Sequence, residues 1–372
     1  MTSPSKPRVQ LEALTGLRGL AAIFVVLYHI RSGQTNSLPD WLIALFSKGY
    51  LAVDLFFILS GFVMWTSYAA EFSEQGLSST RHFLWRRLAR IYPLHLAILS
   101  AMAAFAVVLK FTGRNPGPDM NFSELPLHLL LVQAWGLVEA VRWNDPAWSI
   151  SAEFASYLCF PLIALGADWD RRSFATIAAA VAGLLIMIAG GFALAGHTSM
   201  GAGISEMGVF RCLTQFAIGT ALASLWQRGR HTMKAYVFLG GASAIMGIGL
   251  MLRLDEPVFL PAALACLMLA AALANDFLPF LSKGPIHYLG QISYAVYLSH
   301  MFLYTLFKLF FVSDPSDVGL LPAAGFIVAM LAVSSALYHY LELPSQRWIN
   351  GLFQPKIAIA APASVDSMKC ID

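Results

Sequence analysis

Charge is what this sequence has least of. Asp, Glu, Lys and Arg supply 12% of its 372 residues, apolar types supply 58%, and the mean hydropathy is +0.66. That little polar surface cannot cover a water-soluble globule. Apolar runs recurring from end to end read instead as a polytopic helical membrane protein. Cysteine is scarce too: Cys159, Cys212 and Cys266 lie inside apolar runs and Cys370 near the C-terminus. This is neither a disulfide framework nor a metal-ligand spacing, so no metal is expected. The net charge of +3 is too small to point to nucleic acid. No small-residue cleavage pattern follows the first apolar run, so it is expected to stay as an uncleaved span. Internal repeats and low-complexity segments are also lacking.

What is present is a series of apolar segments, at roughly 14–31, 48–70, 89–111, 125–139, 147–166, 173–195, 206–226, 233–252, 257–275, 285–312 and 318–341, against about 20 residues per crossing. The weak member is 125–139, "LPLHLLLVQAWGLVE", which is short and carries a His. If it does not cross, sixteen Lys and Arg fall on the side of both termini and eight on the other; if it does, the split is eleven to thirteen. The positive-inside rule selects the first arrangement. The expectation is an all-α transmembrane bundle of about ten spans with both termini cytoplasmic. Residues 125–139 then form an interfacial or re-entrant segment outside. A transmembrane domain over 1–345 is followed by a short cytoplasmic tail, 346–372.

Ionisable groups inside spans are costly and usually functional. In the first span, Arg18 and His29 lie eleven residues apart, a little over three helical turns, on almost one face and roughly 16 Å apart along the axis. Arg18 alone reads as an interfacial anchor. His29 reaches the outer half, where Asp54, Glu153, His300 and Arg211 arrive at similar depth from four other spans. Two buried unlike-charge pairs are the structural alternative. Asp145 can cap the helix that carries Glu153, with Pro146 in its first turn. On the cytoplasmic side, "STRHFLWRRLARIYPLH" sets Arg87 and Arg90 on one helical face. That is either a positive-inside loop with its aromatic belt or a phosphate site, since Arg forks bind phosphate well. Glu342 is placed to pair with one of these arginines, and Pro344 is expected to break the last span.

The stretches "LTGLRGLAAIFVVLYH", "VDLFFILSGFVM", "FLWRRLARIYP", "WSISAEF", "SYAVYLSH" and "YLELP", in that order, resemble the acyltransferase-3 family of membrane O-acyltransferases. Such proteins acylate O-antigens, exopolysaccharides, Nod factors and macrolide sugars. The resemblance runs from Arg18 to Pro344. It implies that His29 is the essential histidine, that Arg18 completes its motif, and that Arg87 and Arg90 form the RxxR motif associated with the acyl donor. Glu153 matches the acidic residue after the Trp-Ser pair, although the local sequence reads "SISAEF" where "SLSVEF" is commoner. Longer members carry an SGNH-type soluble domain; none is expected here.

The leading expectation is a multi-pass O-acyltransferase of the inner (plasma) membrane. It moves an acyl group, most simply acetyl, from acyl-CoA to a hydroxyl of a glycan, lipid-linked glycan or macrolide-sugar acceptor, with no bound cofactor. Arg18, Arg87 and Arg90 hold the donor. His29 acts as general base or, alternatively, as covalent acyl carrier. Asp54 or Glu153 orients its ring, and His300 or Tyr297 donates to the developing oxyanion. Arg211 and Tyr297 are the substrate-binding candidates. A secondary transporter also places charge at mid-depth, but paired interrupted helices are lacking. An inactive partner in glycan export is the third reading.

Overall fold

The computed structural model describes residues 11–115 and 117–352. The expected cytoplasmic N-terminus and the tail beyond 352 therefore fall outside the described residues. All regular structure within them is helical. The helices are α1 (Glu12–Ile30), α2 (Asp40–Phe46), α3 (Ala52–Gln75), α4 (Thr80–Phe111), α5 (Leu125–Leu129), α6 (Ala147–Ala167), α7 (Phe174–Leu194) and α8 (Ile204–Gly229). Then come α9 (Ala235–Met251), α10 (Glu256–Leu273), α11 (Pro279–Ser282), α12 (Gly284–Phe311), α13 (Leu320–Leu337) and α14 (Leu343–Leu352).

Among the described residues, eight helical stretches are long and apolar enough to cross a membrane. One of them, Asp40–Phe111, is itself α2, α3 and α4 in succession, and α9 is apolar but only 17 residues long. Residues 125–139 do not form a crossing helix: α5 stops at Leu129 and the chain runs irregularly to α6. The reason lies in the local sequence, where no cap or helical periodicity continues past Leu130 and Leu131 takes a left-handed φ of 58°.

Contacts along the long helices give their relative directions. α1, α4 and α12 run parallel, since Arg18 meets Gly290 while His29 meets His300, and Tyr294 meets Ile91 while Phe105 meets Phe302. α3, α6 and α8 run parallel to one another, through Asp54–Arg211, Phe62–Trp226, Ser60–Glu153 and Phe72–Phe160. α13 opposes α12, pairing Ser335 with Tyr288 and Phe326 with Tyr304. The bundle thus has an arginine end and a histidine end.

Glycine sets the closest crossing. A Cβ on Gly61 of α3 would lie 1.9 Å from the Phe216 carbonyl oxygen of α8, and one on Gly219 of α8 would lie 1.9 Å from that of Ile58. Small residues let two backbones approach where the surrounding lipid supplies no hydrophobic drive. α8 is consequently buried along most of its length, whereas α7, α9 and α13 expose apolar side chains such as Leu194, Met251 and Leu321.

Pro344 does not end the last span. A π turn over Tyr338–Glu342 joins α13 to α14, which packs on α4 through the Trp85 indole donating to the Ile349 carbonyl at 3.1 Å. Proline lacks an N–H and its ring crowds the carbonyl four residues back, and a widened turn relieves both. The turn buries Glu342 against Arg90.

Candidate active site

His29 sits in the last turn of α1 and His300 in the middle of α12. The parallel packing of these helices brings their rings to a centroid separation of 4.9 Å. His300 Nδ1 faces the carbonyl oxygens of Val296 at 3.1 Å and Tyr297 at 2.7 Å. Only an N–H suits two acceptors, so the hydrogen-bond network assigns the His300 proton to Nδ1 and leaves Nε2 as an acceptor. That Nε2 lies 3.1 Å from His29 Nδ1, which also lies 3.0 Å from the Val25 carbonyl. His29 Nδ1 is therefore the protonated nitrogen, and Nε2 of the neutral ring carries a free lone pair. The Asp145 carboxylate lies 3.5 Å from that nitrogen.

Asp145 was readable as a helix cap but makes no side-chain cap bond; α6 begins behind Pro146, and the carboxylate turns to His29 instead. Its neighbours hold it there. Asn144 Nδ2 donates to the Leu298 carbonyl of α12 at 2.8 Å, and Gln133 Nε2 donates to the Ala147 carbonyl at 3.1 Å. Trp143, two residues earlier, is left-handed (φ 59°) and donates its indole N–H to Asn121. The Asp145 side chain is 49% exposed and that of His29 13%, so the lone pair opens toward the histidine end of the bundle.

The other acidic candidates are engaged elsewhere. Asp54, wholly buried, takes Arg211 in a two-point ion pair at 2.7 and 2.6 Å and accepts from Gln215. The Arg211 guanidinium also lies 5.2 Å from the Trp148 ring centroid. Glu153 accepts from Ser60 and, at 2.6 Å, from Tyr157. Each ties α3 to a neighbouring helix. Tyr297 shares a 2.7 Å hydroxyl contact with Ser149 and its ring lies 6.2 Å from that of His300.

Toward the arginine end, Arg18 donates from Nε to Ser293 Oγ at 2.9 Å and from Nη2 to the Gly290 carbonyl at 2.8 Å. Arg90 pairs with Glu342, and Arg87 donates from Nη2 to the Tyr68 hydroxyl at 2.7 Å. Arg87 Nε is buried with no hydrogen-bond partner among the described residues. The sequence expectations thus meet in two clusters: His29 with His300 and Asp145, and Arg87 and Arg90 with Tyr68 and Glu342. Arg18 of α1, bonded to Gly290 and Ser293, lies on the arginine side as well. Asp54 with Arg211 forms a separate buried pair, and Glu153 with Ser60 a part-buried one. Asp145 was missed because its position outside a span gave no depth signal; its proximity to the Trp-Ser pair was the available hint.

Residues 11–339 match the acyltransferase domain of the acyltransferase-3 family. The acyltransferase MdmB of Streptomyces mycarofaciens is 30% identical over 323 residues, covering 79% of this chain and 79% of its own length. Protein 2 in the picA locus of Rhizobium radiobacter is 31% identical over 200 residues, covering 49% of this chain and 96% of its own. The O-acetyltransferase OatA of Staphylococcus aureus (strain NCTC 8325 / PS 47) is 23% identical over 372 residues; the match covers 91% of this chain and 57% of that relative. No solved structure matches the chain. A family match over nearly the whole described bundle, with O-acyl transfer in its relatives and a histidine lone pair at its polar centre, identifies a multi-pass membrane O-acyltransferase of the acyltransferase-3 family.

Proposed function

We propose that this enzyme moves an acyl group, most simply acetyl, from acyl-CoA on the cytoplasmic side to a hydroxyl of a glycan-type acceptor in the outer half of the inner (plasma) membrane. The observation that carries this reading is the free Nε2 lone pair of His29, fixed by the protonated Nδ1 between Val25 and His300. In the reaction the acceptor hydroxyl gives its proton to His29 Nε2 while its oxygen attacks the thioester carbonyl. The C–S bond then breaks and the thiolate takes the proton back from Nε2, so no net proton is consumed. His300 acts through His29, holding the productive tautomer. Tyr297, buried beside His300, is the candidate donor to the developing oxyanion.

Donor binding falls to the arginine end. The buried, unpartnered Nε of Arg87 is a donor in need of an acceptor, and a phosphate oxygen supplies one. Arg90 is positioned by Glu342, and Arg18 marks the route along α1 to His29, roughly 16 Å further on at about 1.5 Å per residue. Asp54–Arg211 and Glu153 serve here as pins between helices rather than as partners of the base. Ten crossings with both termini cytoplasmic fit the alternating helix directions once α3 and α4 are separated and α9 is counted. Impermeant-reagent labelling of an introduced Ser316→Cys in intact cells, and of Ser78→Cys only after permeabilisation, is the expected topology result. The functional test is thiol release from acetyl-CoA by purified enzyme in nanodiscs, measured with and without glycan acceptor. Release that His29→Gln leaves unchanged contradicts the proposal.

A further inference from the structure

Two acceptors face each other at the centre of this site. With Nδ1 of His29 protonated, Nε2 offers a lone pair, and the Asp145 carboxylate 3.5 Å away offers more. Neither has a donor between them, and 3.5 Å is too long for a good hydrogen bond. Neither atom has a protein donor among the described residues, so both are left to water or to a ligand. One hydroxyl donating to Nε2 and a second donating to Asp145 satisfies both, and hydroxyls on adjacent carbons stand about as far apart as these two atoms.

We propose that Asp145 is a substrate-binding residue that holds the hydroxyl next to the one being acylated, so that the enzyme selects acceptors carrying a vicinal diol. The proposal rests on the reading of His29 as the base. Three observations support it beyond the distance. The Asp145 side chain is half exposed toward the histidine end, whence an outer acceptor arrives. Asn144, 2% exposed, anchors the adjoining backbone to α12 through Leu298, so the carboxylate is held on the helix whose His300 contacts the base. Asp145 makes no cap bond to α6 that would occupy its oxygens. Nearby, His300 is held by Val296, Tyr297 and His29, and Arg31 donates to the Tyr28 carbonyl and lies over its ring.

A charged acceptor discriminates against a ligand lacking its donor by about tenfold or more. The test is ligand-observed saturation-transfer NMR on the enzyme in nanodiscs, without acyl donor, using methyl galactoside and the mono-alcohol tetrahydropyran-2-methanol as probes. Wild type should bind the glycoside about tenfold or more tightly than the mono-alcohol. Asp145→Ala should lose that preference, Asp145→Asn should keep part of it, and the mono-alcohol should bind all three alike. Melting temperatures of the same samples check folding; Asp145→Asn, nearly isosteric and half exposed, keeps the comparison open if Asp145→Ala unfolds. A preference unchanged in the variants, or absent from wild type, overturns the assignment. Acetyl transfer is assayed separately on the same samples. Its absence from wild type, with the binding pattern intact, contradicts the transfer reading and not the role of Asp145.

Discussion

His300 Nε2 accepts from His29 Nδ1 across 3.1 Å, and this contact between α1 and α12 decides which nitrogen of His29 can act as a base. The Val25 carbonyl shares the same proton. His300→Phe therefore removes one of two acceptors and frees the ring to rotate without stranding the N–H. Transfer should fall by about tenfold or less, the value of one neutral hydrogen bond, and His300→Gln should recover part of it. Initial rates of acetyl transfer check this.

Asp54 and Arg211 should behave as a buried pin. Asp54→Ala leaves a guanidinium buried at 2% exposure without its carboxylate and should cost about 3–5 kcal/mol of stability. The double change Asp54→Leu, Arg211→Met should be far less harmful than either single one, because no charge is left unpaired. Thermal unfolding in detergent, followed by fluorescence-detected gel filtration, distinguishes the two outcomes.

Arg87→Ala should raise the acyl-CoA concentration needed for half-maximal rate more than it lowers the maximal rate. Its Nη2 is already engaged by Tyr68, so the buried Nε is the group left for a phosphate. Arg87→Lys should restore only part, since an ammonium cannot reproduce a planar fork. Donor titrations at saturating acceptor measure this.

His128, in the short α5, gives a pH signature outside the spans. Burial, and then the nearby His95, lower its pKa from the ordinary 6.5 to about 4. The unfolded chain thus binds the proton more readily than the folded one. The stability it gives is complete above 6.5 and is lost as pH falls toward about 4. His128→Leu should flatten the stability profile over that window, read as melting temperature against pH. A profile unchanged by the substitution contradicts the assignment.

The position and length of the apolar runs disclosed most of the helices, to within a few residues at most of their ends. The charge split also singled out 125–139 as the segment that does not cross. Depth along the axis was legible in the same way, which is why His29 and His300 could be placed at one level. Azimuth was not. Asp54 and Glu153 arrive near that level but on faces turned to Arg211 and to Ser60, because rotation about a helix axis is set by contacts such as Gly61 with Phe216 rather than by hydropathy. Asp145 escaped for a related reason. Its approach depends on an irregular segment whose turns include left-handed Leu131 and Trp143, and no side-chain pattern announces those. The π turn before Pro344 was hidden likewise, since a proline signal marks trouble for a helix without saying how the chain resolves it.

The central claim is that His29 Nε2 removes the proton of the acceptor. The most direct measurement is the rate of acetyl transfer from acetyl-CoA across a pH series, in nanodiscs, for wild type and His29→Gln. Only a neutral ring can accept a proton, so the wild-type rate should fall on acidification. Glutamine can hydrogen-bond but cannot take up a proton, so His29→Gln should lose about 10²–10⁴-fold and show no such fall. A glutamine variant that keeps most of the wild-type rate and the same pH profile would contradict the account.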